Sequence, residues 1–519
     1  MNLTPSPVSE RPILKSWAEF ISTIYRDEYY FPLDGSFPTP SYFQKTELGL
    51  VKEAWRHTIS LMKEGKAPLE LGLYIHWPFC PSQCTFCRCS MLVPGKNQDM
   101  RQALVALKEE MSQFKDVFKE MEFSSLYMGG GTPTFMTDEA LDDFLSHMRL
   151  SFRFAPFAQI YTEASPSTLT PKKLEILLKH GFNRITVGVQ TFNDDLLKKL
   201  NRVGQTKKVV ANIFERMSRV PGLITDADLM ISMEGQNAPV FIKDMEELLR
   251  LRPHCIHLYP FEDAPQTEFR KRGKIITARE RKIESQLTLL ADRMLSRAGY
   301  RRWRDDWEDI SLHPWESRQE AAWRRFRGSF LGLGHSALSH AFGSAWYCHP
   351  RAPGKDFFST SHGAEIPPYL FMKSSVEEEM RGYVVESLAR SRKMPRKIFK
   401  SLFKGDVLDF DFLADKVSDL VKLGLAEVGP DFILWKGQDT VDLSVQLKRL
   451  YSPDIIAAIL KAESRAFGEF QSRLERKELD WKKLIFEGQA EHDTMAYYDP
   501  RVWPEGSQRN NRSNWEAQI

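Results

Sequence analysis

What this 519-residue chain lacks narrows its reading before any motif is found. It holds only six cysteines, far too few for the disulfide framework of a small secreted domain. No run of ~18 uninterrupted apolar residues occurs, so no transmembrane helix is predicted and no membrane partner is expected. Neither sign of charge dominates: 72 Lys and Arg against 69 Asp and Glu leave a formal net charge of +3. No global field therefore points to nucleic acid or to a strongly charged partner. The opening residues, MNLTPSPVSERPILKSW, lack a basic-then-apolar signal pattern, and the cytoplasm is the expected location. Wholesale disorder is excluded too, because 42% hydrophobic and 12% aromatic residues supply a large core.

What is present is an alternation that starts near Leu69. Short apolar strands are expected at 71–77, 124–129, 158–163, 184–190, 224–231 and 255–261. Amphipathic helices are expected between them at 102–118, 138–148, 171–180, 240–251 and 278–298, with a further helical run near 46–64. Strands that alternate with helices imply right-handed crossovers and a parallel sheet. Six such units over roughly 200 residues suit a partial (β/α)6 TIM-type barrel, an α/β fold with its chemistry at the C-terminal strand ends. The division read from the pattern is an N-terminal extension at 1–68, the barrel at 69–300 and a Trp- and Arg-rich capping segment at 301–372. A winged-helix-like module follows at 373–440, where a helix runs into Gly-Leu and a two-strand wing, and then a charged extension at 441–519. No internal repeat is found.

Four of the six cysteines fall within ten residues, in LYIHWPFCPSQCTFCRCS, as Cys80, Cys84, Cys87 and Cys89. Structural zinc sites pair one C-x2-C with a distant second half, and Cys255 and Cys348 are single. Three thiolates on one loop suit a cubane iron–sulfur cluster whose fourth iron stays open. The apolar flanks, and the place directly after the first barrel strand, favour that cluster over a structural zinc or an idle loop.

C-x3-C-x2-C after a YIHWPFC strand resembles radical SAM enzymes, specifically the oxygen-independent coproporphyrinogen III oxidase-like (HemN-like) branch with its class C methyltransferase and cyclopropanase relatives. YMGGGTPT (127–134), TEASPSTL (162–169), GFNRITVGVQTF (181–192), DADLM (226–230) and LGLGHSALS (331–339) resemble further motifs of that branch in the same order. The resemblance covers about residues 70–440 and, as an ordered set, is specific. It implies a radical SAM barrel with a [4Fe-4S] cluster on Cys80, Cys84 and Cys87. It also implies S-adenosyl-L-methionine (SAM) bound at the open iron and cleaved to a 5′-deoxyadenosyl radical. A flavodoxin- or ferredoxin-like electron donor is implied as the partner. Tyr74, Gly130 and Glu163 match positions at the cluster-bound SAM. Phe86, Gly131, Thr132, Gln190, Arg202 and Asp228 match positions that hold a second SAM in several relatives. Cys89 matches a cysteine of the porphyrinogen-decarboxylating members and is the candidate catalytic thiol; its bland alternative is a buried small hydrophobe.

The chain also departs from the branch. The family's Gly-Leu-Pro-Gly-Gln segment is Ser232-Met233-Glu234-Gly235-Gln236 here, and about 80 residues are added at the C-terminus. Arg301, Arg302, Arg304, Arg324, Arg325 and Arg327 interleave with Trp303, Trp307, Trp323 and Phe326, a pattern that suits clamping a planar, anionic small molecule as well as a solvated helix pair. His335, His340 and His349 are candidate haem ligands or proton donors, but a lone histidine reads first as structural. Two-SAM transfer of a one-carbon unit to a planar aromatic or natural-product substrate is the leading expectation. Oxidative decarboxylation of porphyrinogen propionates is the alternative, and a haem-binding chaperone comes third.

Overall fold

In the computed structural model the described residues are 43–89, 91–94, 100–202, 204–261, 267–274, 276, 278–302, 310–312, 328–349, 369–437 and 447–457. The chain enters with β1 (Gln44–Thr46) and α1 (Leu48–Lys63), then begins its alternation. The units are β2 (Leu71–Trp77), α2 (Met100–Phe118), β3 (Glu122–Gly130) and α3 (Asp138–Ser151), then β4 (Arg153–Ala164) and α4 (Pro171–Lys179). They continue with β5 (Arg184–Gln190), α5 (Asp194–Lys199), α6 (Lys207–Ser218), β6 (Ile224–Ile231), α7 (Ala238–Leu251) and β7 (Cys255–Pro260). Two further helices, α8 (Glu268–Lys271) and α9 (Ala278–Arg297), follow.

β2 to β7 pair in sequence order, each parallel to the next, as the alternation predicts. The helices start where the sequence supplies caps. Thr137, Thr170, Asn193, Thr206 and Asn237 each accept a backbone N–H of the first turn, and proline opens α4 and α7. The strands' helix-facing positions are apolar: Leu73, Ile75 and Trp77 on β2, Leu126 and Met128 on β3, Ile185 and Val187 on β5 are all fully buried. The alternate positions turn to the inside of the curved sheet and carry aromatic and polar groups, as a period of two requires.

The sheet does not close on itself. On the β7 side it ends with β8 (Arg301–Arg302) and β9 (Ile310–Ser311), short strands paired antiparallel. On the β2 side it gains β10 (Ser329–Leu333), a seventh parallel strand beyond the expected six. β11 (Leu338–Ala341), β12 (Ala345–Cys348), β13 (Tyr369–Lys373) and β1 then continue antiparallel, giving thirteen strands in one open sheet. The Gly- and His-containing LGLGHSALSH stretch is thus a strand, a turn and a second strand.

Beyond it lie α10 (Val376–Ser391), β14 (Lys393–Pro395), α11 (Arg396–Phe403), α12 (Asp411–Lys422), β15 (Ala426–Val428) and β16 (Phe432–Trp435). The last two strands form the wing after Gly424, and β14 joins them in a separate three-stranded sheet. Trp303, Arg304, Trp307, Trp323, Arg324, Arg325, Phe326 and Arg327 lie outside the described residues, as do residues 1–42 and 458–519. Among the described residues no helix is long and apolar enough to cross a membrane.

Two of the three downstream histidines are fastened in the interior. His349 Nε2 lies 2.5 Å from Glu110, which also accepts from the Gly334 N–H at 2.8 Å and the Tyr369 hydroxyl at 3.2 Å. His340 Nε2 lies 3.0 Å from Glu379, and its ring stacks on Trp346 at 3.9 Å. Both pairs stitch β10–β13 to helices α2 and α10, a structural role.

Candidate functional site

The inside of the sheet begins with a plug. Tyr127 and Tyr161 stack at 4.5 Å, and the Arg184 guanidinium lies 5.6 Å from the Tyr161 ring centre. Arg184 Nε donates to Asp226 Oδ2 at 2.5 Å, and Thr186 adds a second bond to that oxygen at 3.0 Å. Asp226, the first acid of DADLM, therefore closes the floor. Two residues on, the same face brings Asp228 up toward the C-terminal mouth.

At that mouth the cysteine loop is tied down on several sides. Gly131 N–H donates to Trp77 O at 2.6 Å and Thr132 N–H to Phe79 O at 2.9 Å, binding the loop's root to the GGGTP turn. Cys80 N–H donates to Leu92 O, and Leu92 N–H returns to Pro78 O at 2.7 Å. On the other flank Thr85 N–H reaches Leu200 O, Phe269 N–H reaches Thr85 O, and the Asn201 amide holds Gln83 O at 2.9 Å. Phe86 packs onto a satellite apolar cluster of Leu196, Leu200, Met233, Phe261 and Phe269. The glycines are required here. A Cβ on Gly131 would stand 2.7 Å from the Pro78 backbone, and one on Gly130, at φ +102°, would stand 2.6 Å from the His76 ring. Gln190, Asn201 and Ser232 also take positive φ without being glycine, and all three lie at this mouth.

Each cysteine sulfur of the three-cysteine motif meets a side-chain donor. The Thr132 hydroxyl lies 3.2 Å from Cys80 Sγ, and Arg202 Nη1 lies 3.7 Å from Cys84 Sγ. The Cys89 thiol bonds to Cys87, which lowers Cys87 to about 7 and drives Cys89 well up. Burial pushes Cys80 up to about 12 and raises Cys84, with Arg202 opposing in both cases. By residue surface Cys89 is the exposed one of the four loop cysteines, the other three being half-buried. Among the described residues no three His, Cys, Asp or Glu side chains converge closely enough for a single metal ion. A cubane makes a different demand, since it takes thiolates at separate corners. Three cysteines on one pinned loop, each with a donor beside its sulfur, fit that group.

The walls carry the other expected residues. Tyr74 sits 5.3 Å from Tyr127, its hydroxyl 2.8 Å from His76 Nδ1. The Tyr127 hydroxyl donates to Glu163, and the Gly130 N–H does so as well. Burial raises the Glu163 carboxyl to about 7; Tyr127 opposes the shift and Asp228 adds to it. Gln190 is buried at a bulge where the β5–β6 register shifts after Gly188. Asp228 pairs with His257 Nδ1 at 2.8 Å across β6 and β7. Arg202 spends Nε and Nη2 on Gln205 Oε1, at 3.2 and 3.0 Å, and a further Nη2 hydrogen on Gly188 O. One Nη1 hydrogen remains for an outside ligand, so in this conformation it cannot clamp a carboxylate with two parallel bonds.

His76, His257, His335 and Gln205 were not singled out as wall residues from the sequence. His76 and His257 stand two positions from Tyr74 and Cys255, so strand periodicity alone places them on the inner face. His335 comes within 6.4 Å of His76, ring centre to ring centre, through the turn after β10. That proximity has no local sequence signal.

The class that this fold and loop define is the radical SAM domain, and the profile of the Radical SAM superfamily matches residues 74–248. Residues 74–248 thus carry a radical SAM domain, and the chain around them is similar to oxygen-independent coproporphyrinogen III oxidases and to heme chaperones. It is 28% identical to the oxygen-independent coproporphyrinogen III oxidase of Salmonella typhimurium over 232 residues, which is 44% of this chain and 50% of that protein. It is 27% identical to the Escherichia coli enzyme of the same name over 282 residues, 54% and 60% of the two chains. It is also 32% identical to the heme chaperone HemW of Bacillus subtilis over 197 residues, 38% and 52% of the two. The chain thus spans about half the length of the curated relatives it matches. The solved structure of E. coli coproporphyrinogen III oxidase (HemN) aligns with a TM-score of 0.63 at 20% identity, covering 82% of this chain and 99% of that one. That likeness is one of fold.

Proposed function

We propose that this protein is a radical SAM enzyme that transfers a one-carbon unit, as methylation or cyclopropanation, to a planar aromatic or natural-product substrate, using a [4Fe-4S] cluster and two SAM molecules. The observation that carries the radical SAM part is the joining of the three-cysteine loop to the Gly129–Gly131 turn and Glu163 at the C-terminal mouth of the parallel strands. Cys80, Cys84 and Cys87 would hold the cluster, which with SAM would supply radical chemistry for hydrogen abstraction from carbon.

The chain's own residues prepare the site. Gly130 and Gly131 leave the turn bare, so backbone N–H groups meet an amino acid moiety at close range. Glu163 offers a carboxylate to an ammonium or sulfonium at the strand end. Tyr74 and Tyr127 form an apolar wall that keeps water from a reactive carbon radical. Phe86, Gly131, Thr132, Gln190, Arg202 and Asp228 would form the second SAM site, with Arg202 giving one bond and Asp228 an acceptor steadied by His257. The replaced segment at Ser232–Gln236 supports a substrate other than the branch's porphyrinogen. There Ser232 stands at φ +67°, and its N–H is held by the Gln236 side chain at 2.7 Å.

Cys89, beside Glu163 at the mouth, favours a second reading: oxidative decarboxylation of porphyrinogen propionates, with Cys89 as a late hydrogen donor. The likeness to HemW supports a third, a haem-carrying chaperone. One anaerobic assay separates them. After cluster reconstitution, SAM and dithionite are added with host extract, and 5′-deoxyadenosine and S-adenosylhomocysteine are quantified. Both rising together supports one-carbon transfer, and deoxyadenosine alone supports decarboxylation. Neither product, with a Soret band on haem titration, supports the chaperone. Cys84→Ala is expected to abolish deoxyadenosine formation, and full turnover by that variant would end the radical SAM reading.

A further inference from the structure

Arg202 is built into the protein more firmly than a ligand-gripping arginine needs to be. Its Nε and Nη2 are fixed by Gln205, and Gln205 is itself buried and bonded through Nε2 to Val189 O at 2.5 Å. Nη2 also caps the carbonyl of Gly188, a position where any Cβ would lie 3.3 Å from Nη2 and 3.0 Å from the Gln190 amide. What this framework aims is Nη1, and it aims it at Cys84 Sγ, 3.7 Å away. The guanidinium's charge acts on Cys80 and Cys87 as well as on Cys84. Arginine stays charged at any physiological pH, so this is a permanent cation beside the whole three-cysteine loop.

We propose that Arg202, held in place by Gln205, sets the reduction potential of the cluster bound by Cys80, Cys84 and Cys87. The proposal rests on the reading that this loop holds a [4Fe-4S] cluster. Reduction adds one electron, delivered by an external one-electron donor, and no bond forms or breaks. The reduced group is more negative by one charge, so a fixed cation and an N–H···S bond favour it over the oxidised one. Cluster potentials are set by such hydrogen bonds to sulfur, by net charge and by exposure. Arg202 and Gln205 are positioning residues in this role. Arg202 makes electron entry easier whether or not SAM is present.

The test is a potentiometric titration of the reconstituted protein without SAM, followed by the paramagnetic signal of the reduced cluster. Arg202→Met is expected to shift the midpoint negative by a tenfold or greater fall in the reduction equilibrium constant, which is 59 mV for a one-electron couple. Arg202→Lys, which keeps the charge, should fall between that variant and the wild type. Gln205→Leu should move in the same direction by less, and with Arg202→Lys it carries the measurement if Arg202→Met assembles no cluster. A midpoint unmoved in all cluster-bearing variants overturns the proposal and returns Arg202 to loop packing and ligand binding. If the wild type itself takes up no cluster, the functional reading above fails first, and iron and sulfide content shows which failure has occurred.

Discussion

Glu163 shows how one half-buried carboxyl links stability to chemistry. Its folded value of about 7 lies above the ordinary 4.5, so ionisation works against the folded state. The penalty is absent below pH 4.5, grows as pH rises toward 7 and is complete above it. At 1.36 kcal/mol per unit it amounts to about 3 kcal/mol. Glu163→Gln is therefore expected to stabilise the metal-free protein above pH 7 and to match the wild type near pH 4, as thermal melts across that range would show. SAM cleavage should rise through pH 7 in the wild type, as the carboxylate forms, and stay low and flat in the variant. At this scale the placement of the cysteines, Glu163 and Asp228 near one mouth was legible because each sits in a short motif or at a strand end. His257 was not: it is a lone histidine whose meaning comes from Asp228, 29 positions earlier on the neighbouring strand.

Among the elements, the turn after β3 and the cysteine loop form one mechanical unit. Gly131→Ala would push a methyl group into the Pro78 backbone, so the loop must lift from its seat. We expect a marked loss of iron and sulfide per chain after reconstitution, with helix content unchanged by circular dichroism. Gly49, near the start of α1 with nothing within 4 Å, is the contrasting site. Gly49→Ala should leave cluster content alone and stabilise the fold by up to ~1 kcal/mol. The six strands β2–β7 were read correctly because strands buried on their helix side are rich in Val, Ile and Leu between clear breakers. Helices α5 and α6 escaped notice, one being six residues long and the other starting at the Thr206 cap only a few residues after it. β10 to β13 escaped it as well. Each is only four or five residues long, β10 and β11 mix Gly, Ser and His into their runs, and β10 joins the sheet against β2, about 250 residues earlier.

Across the whole molecule, the antiparallel strands are fastened to the barrel through Glu110. Its carboxylate meets Gly334, His349 and Tyr369, all supplied by the distal half of the chain. Removing it strands those groups in the interior, and breaking a buried pair of this kind costs about 3–5 kcal/mol. Glu110→Ala should lower the urea midpoint accordingly, and Glu110→Gln should recover part of the loss. Nothing in the sequence marks Glu110, which reads as one more acid on an amphipathic helix; its depth follows from β10 and β13 covering α2.

The place of β10 in the chain also bears on synthesis. Leu71–Trp77 is the first of the parallel strands to leave the ribosome, and the strand that covers its free edge is made about 250 residues later. At ~5–20 residues per second, that apolar ribbon waits on the order of tens of seconds for its neighbour. A nascent chain stalled before Ser329 would expose an unpaired, aggregation-prone edge. Productive biogenesis thus depends on shelter during elongation, and codon choice between the two strands becomes a lever on yield.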